Sequence, residues 1–155
     1  DTHDNIGSGP IQLPPEELHT SSSWLSFERP PGWTDAMLTD AMTGTATSIA
    51  SFIPLFVQCD RRDIPVVPQV KSIHAELPTF FVYDSYQGGI GISERVFDVW
   101  PELLEYVESH VTSCPCAQGC PACIGPQEST LGLKDEVVKL LAYLQIETKG
   151  ESYVI

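Results

Sequence analysis

Apolar residues recur every three or four positions along much of this chain, and short aromatic runs interrupt them. Leu38, Met42, Thr45, Ile49, Phe52 and Phe56 form one such stripe and predict a long helix. Thr34 suits its N-cap and Asp35 its first turn. Ala41, Gly44, Ala46 and Ala50 keep the rest of that helix small, so another element should pack closely on it. Pro54 is expected to end or kink it. Before the helix, Trp24-Leu25-Ser26-Phe27 reads as a strand stopped by Pro30-Pro31-Gly32. Thr79-Phe80-Phe81-Val82-Tyr83 is the strongest strand, aromatic and β-branched. The three prolines of residues 65–79 predict a loop with at most one edge strand.

Helical spacing returns after Asp84. Ile92, Val96, Val99 and Trp100 predict a buried face, and Pro101 divides it or starts a second helix. That second helix buries Leu104, Val107 and Val111 and turns Glu102, Glu105 and Glu108 to solvent. A last helix over Leu133–Ile146 carries Leu133, Val137, Leu140, Leu141 and Leu144 on one face. Residues 1–20 are polar and turn-rich and read as an arm or linker, with at most a short strand near Ile11–Leu13. Residues 21–155 read as a single domain, in which the tail 151–155 either frays or adds an edge strand. The expected fold is α+β: a small, mainly antiparallel sheet covered by helices.

The 155 residues are the size of one domain, and 42% hydrophobic residues suffice for a core. Eight Lys and Arg face 21 Asp and Glu, a net charge of −13. Such a surface repels nucleic acid and anionic membrane, so contact with DNA has to be local or made by another domain. No run reaches the roughly 18 apolar residues of a membrane span. The start, Asp1-Thr2-His3-Asp4-Asn5, lacks the basic and apolar regions of a signal peptide. A first residue other than Met suggests a processed or excised piece.

The candidate chemistry is concentrated in Cys114-Pro-Cys116-Ala-Gln-Gly-Cys120-Pro-Ala-Cys123. Four thiols in ten residues, separated by turn-forming Pro and Gly, are poorly explained as packing. Two chelating turns that bring four soft thiolates together are what one tetrahedral zinc ion needs. Sets of four cysteines also hold iron–sulfur clusters. A pair of disulfides is the remaining reading, disfavoured because Cys114 and Cys116 would close a strained ring. Four thiolates leave zinc no open position, so one zinc per chain would be structural. The clustering also points to a reducing compartment: intracellular, cytoplasmic, or nuclear in a eukaryote.

Other features carry weaker signals. Cys59 reads as a buried, unliganded thiol. His110 lies near the cluster, but four cysteines already complete the shell, and His3 and His19 read as surface residues. Asp60-Arg61-Arg62-Asp63 suggests an ion-pair knot, or else a lone basic spot for a phosphate or an acidic partner. The turn Gln87-Gly88-Gly89-Ile90-Gly91 lies between a strand and a helix, where backbone N–H groups can cradle phosphate. It lacks the motifs of nucleotide loops, so positive φ and close packing explain these glycines better. No H-E-x-x-H or G-x-S-x-G is present, and no cysteine outside the cluster has a plausible histidine partner.

Three blocks together resemble a known family. They are Phe52-Ile-Pro-Leu-Phe-Val-Gln-Cys-Asp-Arg-Arg-Asp-Ile64, then Phe81-Val-Tyr-Asp-Ser-Tyr-Gln-Gly-Gly-Ile-Gly-Ile-Ser-Glu94, then Cys114 to Cys123. They are similar to the MrfA-type zinc-binding domain, found at the C-terminal end of a class of superfamily-2 DNA helicases in bacteria and fungi. The resemblance implies zinc on Cys114, Cys116, Cys120 and Cys123. It also implies a helicase motor as partner, in cis or in trans, and a role in DNA repair. DNA would be met through the motor, with weak or no binding by this domain alone. A related domain occurs in an anti-phage defence system. The chain departs from the pattern at Pro65-Val66, where relatives often have two glycines, and no motor is present. The expectation is an accessory module without catalysis of its own. The alternatives are a free-standing, zinc-stabilised protein-interaction module and an enzyme built on the Tyr83–Glu94 loop.

Overall fold

The computed structural model describes residues 17–126 and 132–147. His3, the strand expected near Ile11–Leu13 and the tail 151–155 lie outside them. Three antiparallel strands, β1 (Ser22–Ser26), β2 (Val66–Gln69) and β3 (Thr79–Tyr83), form a sheet in the order β1-β3-β2. The strongest predicted strand is therefore the central one. Its alternation sends Phe80 and Val82 into the core, where Phe80 stacks on Phe27 at 5.8 Å. Trp24, Phe81 and Val67 form a cross-strand row on the other face. Pro68 is tolerated because β2 is an edge strand and can leave one N–H out of the ladder.

The first helix, α1, spans Asp35–Val57, and the Thr34 hydroxyl accepts from the Met37 N–H at 3.3 Å. Arg29 pairs with Asp35 in its first turn. Pro54 does not end it: three more residues follow, at the cost of the one N–H to carbonyl bond that a proline cannot make. The helix stops at Gln58, whose left-handed backbone returns its N–H to the Pro54 carbonyl. The buried stripe also differs from expectation at this end. Ile53 and Val57 are fully buried, whereas Phe52 and Phe56 are half-buried and pack edge-on against Tyr106.

Helices α2 (Ile92–Asp98) and α3 (Trp100–Ser113) are separated only by Val99, with Pro101 in the first turn of α3. Leu103, Leu104, Val107 and Val111 are buried, so the apolar face is wider than the predicted one by Leu103. Glu102 and Glu105 are exposed. Glu108 departs from the solvated face: it is half-buried and accepts from Gln145 Nε2 at 2.7 Å. Helix α4 (Leu133–Glu147) buries all five predicted leucines and valines against α1 and α3. Each such side chain contributes about 1.5–3 kcal/mol by leaving water. Helix α1 also packs on β2, and α2 packs on β1 and β3, which joins the sheet to the helical layer. No helix among the described residues is long and apolar enough to cross a membrane.

Candidate metal centre

Helix α3 delivers the chain to the cysteines. Cys114 is its C-cap, in extended backbone (φ −63°, ψ 129°), so the helix ends where the first thiol is needed. Cys120 opens a tight turn: the N–H groups of Cys123 and Ile124 both return to its carbonyl at 3.1 Å. Gly119 has φ +110°, a conformation that L side chains rarely adopt. The four sulfurs converge, all within 4.8 Å of one another. Cys114 to Cys120 is 3.7 Å, Cys116 to Cys123 3.5 Å, and Cys120 to Cys123 3.6 Å.

These spacings discriminate between the candidate chemistries. Four sulfurs held about 2.3 Å from one tetrahedral ion lie about 3.8 Å apart. A disulfide needs about 2.0 Å, and all five cysteines are free. An iron–sulfur cluster distributes its cysteines over several irons, whereas the gap here is the size of one ion. The donor set therefore fits a single soft cation. Its protons are unevenly held: N–H groups of Ala122 and Cys123 hold the Cys120 thiol down to about 7, while burial pushes Cys123 up to about 12.

Two neighbours brace the cluster, and the sequence pattern singled out neither. Lys134, in the first turn of α4, donates from Nζ to the carbonyls of Cys114 (2.6 Å) and Cys116 (3.0 Å). The buried Ser48 hydroxyl lies 2.7 Å from the Cys123 carbonyl and 2.9 Å from that of Gly44. Through Ser48, helix α1 meets the end of the knuckle. The His110 ring packs at a tilt against Phe52, with centroids 4.6 Å apart, and is outside the sulfur group. Cys59 is half-buried and also outside it. Burial, then the nearby Asp63 charge, pushes its thiol up.

The glycine turn has a different centre. Asp84 is fully buried, and its carboxylate accepts from the N–H groups of Ile90 (2.6 Å), Ile92 (3.2 Å) and Ser93 (2.7 Å). The amides that might have cradled phosphate already hold an anion belonging to the chain. Burial alone would raise this carboxyl, but those amides outweigh it and hold it below its ordinary range. Gly88, Gly89 and Gly91 all have positive φ. At Gly89 a Cβ would also stand 2.8 Å from the Ser21 backbone nitrogen. Thr20 Oγ1 donates to the carbonyls of Asp84 and Tyr86, and the Gly88 N–H reaches His19 O.

Asp60 and Asp63 also serve amides rather than arginines. Asp60 accepts from the Arg62 N–H at 2.8 Å and Asp63 from the Asp60 N–H at 3.2 Å, capping the 3-10 turn Arg61–Asp63. The expected ion-pair knot is thus a capping box, and both arginines are exposed.

The chain is similar to several known proteins. A sequence model of the MrfA Zn-binding domain matches residues 45–124. The ATP-dependent helicase YprA of Bacillus subtilis is 41% identical over 141 residues, 90% of this chain and 19% of the helicase. Protein MJ1572.1 of Methanocaldococcus jannaschii is 30% identical over 80 residues, 50% of this chain and 71% of that protein. A crystal structure of the DUF1998 helicase MrfA bound to DNA superposes with a TM-score of 0.79 at 41% identity, over 91% of this chain and 19% of that one. The same helicase with DNA and AMPPNP gives 0.72 at 40%, over 91% and 18%. The chain spans about one fifth of the helicases it matches.

Proposed function

Because this chain belongs to the MrfA Zn-binding domain family, we propose that it is the zinc-binding accessory module of an ATP-dependent DNA helicase. Cys114, Cys116, Cys120 and Cys123 hold one zinc ion, and the module has no catalysis of its own. The observation that carries this reading is the convergence of four sulfurs on a gap the size of one ion. When bound, zinc supplies a rigid cross-link between the end of α3 and the turn that leads towards α4. Four thiolates fill its shell, so no water or substrate is activated.

The motor domains are the partners, in cis or in trans, and the module supports them or guides strands that leave them. At a net charge of −13 it meets DNA through the motor and binds it weakly or not at all alone. A DNA-repair role and a reducing, intracellular setting accord with this chemistry. The test is strand unwinding and ATP hydrolysis by a complete helicase carrying this module, with and without Cys120→Ser. Unwinding should fall further than hydrolysis; if neither changes, the accessory role is wrong.

The short archaeal relative, of which the match occupies 71%, favours a second reading: a free-standing, zinc-stabilised module that binds protein. An antibody to this domain decides between them. Detection of the natural polypeptide at the size of a helicase supports the first, and detection at a size too small to hold a motor the second.

A further inference from the structure

We propose that Lys134 is a positioning residue of the metal centre, through which metal binding and the docking of the start of α4 become one coupled event. This rests on the metal reading above. The carbonyls of Cys114, Cys116 and Gln118, alternate residues of the first chelating segment, all converge on Lys134. The first two accept from its Nζ and the third from its backbone N–H at 3.1 Å. One residue of α4 thus fixes the path of the segment that carries two of the four thiols.

A lysine is also out of place there. The first turn of a helix favours anions, as at Asp135 and Glu136, and disfavours cations. Lys134 is half-buried, so its ammonium must find acceptors. Those it finds belong to two of the four cysteines. Four thiolates around a divalent ion carry a net charge of −2, and a fixed ammonium on the adjoining backbone offsets part of it. Groups that orient ligands in this way commonly govern affinity as well. The same contact ties the knuckle to the helix whose leucines fill the core between α1 and α3. Loss of the ion should therefore loosen α4, and loss of Lys134 should weaken the hold on the ion.

The experiment measures zinc affinity by competition with a chromophoric chelator for the parent, Lys134→Met, Lys134→Arg and Lys139→Met. The last removes an exposed charge from the same helix. Lys134→Met should bind zinc about 10–100-fold more weakly. Lys134→Arg, which keeps the charge and its donors, should recover most of that loss, and Lys139→Met should match the parent. Amide hydrogen exchange from Val137 to Leu141 gives a second readout: zinc should slow exchange in the parent and do so less in Lys134→Met. Affinity of Lys134→Met within twofold of the parent overturns the inference, as does an equal loss in Lys134→Arg. A parent that binds no zinc overturns the metal reading instead.

Discussion

Two turn-rich loops lie beside helix ends in this molecule, and both depend on glycines with positive φ. The loop after β3 is organised around an anion that the chain itself supplies, the Asp84 carboxylate with its three amide donors. The loop after α3 gathers four thiols and no internal cation except a lysine on its backbone. One loop is complete without a ligand. The other brings together four groups that, once ionised, repel one another until a cation joins them. The contrast teaches where to look for a ligand: a cradle that is already filled is structural, and a converging donor set lacking its counter-charge is a site.

Removing the ion should have the largest effect. Structural zinc binds with an apparent ~10–16 kcal/mol, comparable with a domain's whole stability of ~5–15 kcal/mol. Cys120→Ser, or chelation of the parent, should lower the melting temperature sharply and release α4, as read by circular dichroism. Next comes the anion of the other loop. Asp84→Asn replaces a carboxylate that accepts three amide bonds and should cost about 3 kcal/mol in urea denaturation.

Acid provides a second break of the same loop. The Asp84 carboxyl titrates below its ordinary value of 3.8 in the fold, so as pH falls the unfolded chain takes up its proton first. Its stabilisation is therefore full above the unfolded value and is lost as pH drops through the lower, folded one. Asp84→Asn should lack this part of the acid dependence in denaturation curves measured at successive pH values. A smaller effect is expected at Gly89→Ala, about 1–2 kcal/mol from forcing a side chain into positive φ, with added crowding at Ser21. Inorganic phosphate should not bind the parent in calorimetry, because the amides are occupied. The smallest effect sharpens the other half of the contrast: Cys59→Ser should leave zinc per chain unchanged.

The fold was largely legible, because its signals are local and periodic. Thr34 capped the predicted helix, Pro101 opened the predicted second one, and α4 buried the five side chains that its spacing marked. The misses at Phe52, Phe56 and Glu108 share a physical cause: the partner lies far away in sequence. Phe52 and Phe56 fit the stripe, yet Tyr106 draws them to a helix–helix seam and leaves Ile53 and Val57 to the core. Glu108 looked solvated until Gln145 was placed beside it. Asp60 and Asp63 looked like partners for arginines, but nearby amides claim them. The convergence of the four cysteines was readable because their turns are written in ten consecutive residues. Lys134 and Ser48 were not, although a lysine in the first turn of a helix was a signal available from sequence.

Absorption-edge fine structure at the zinc edge, on purified protein with its metal content determined, tests the central claim most directly. The account predicts one zinc per chain, surrounded by four sulfurs at about 2.3 Å and by no nitrogen or oxygen. Fewer than four sulfurs, a light-atom ligand in the shell, or iron in place of zinc would contradict it.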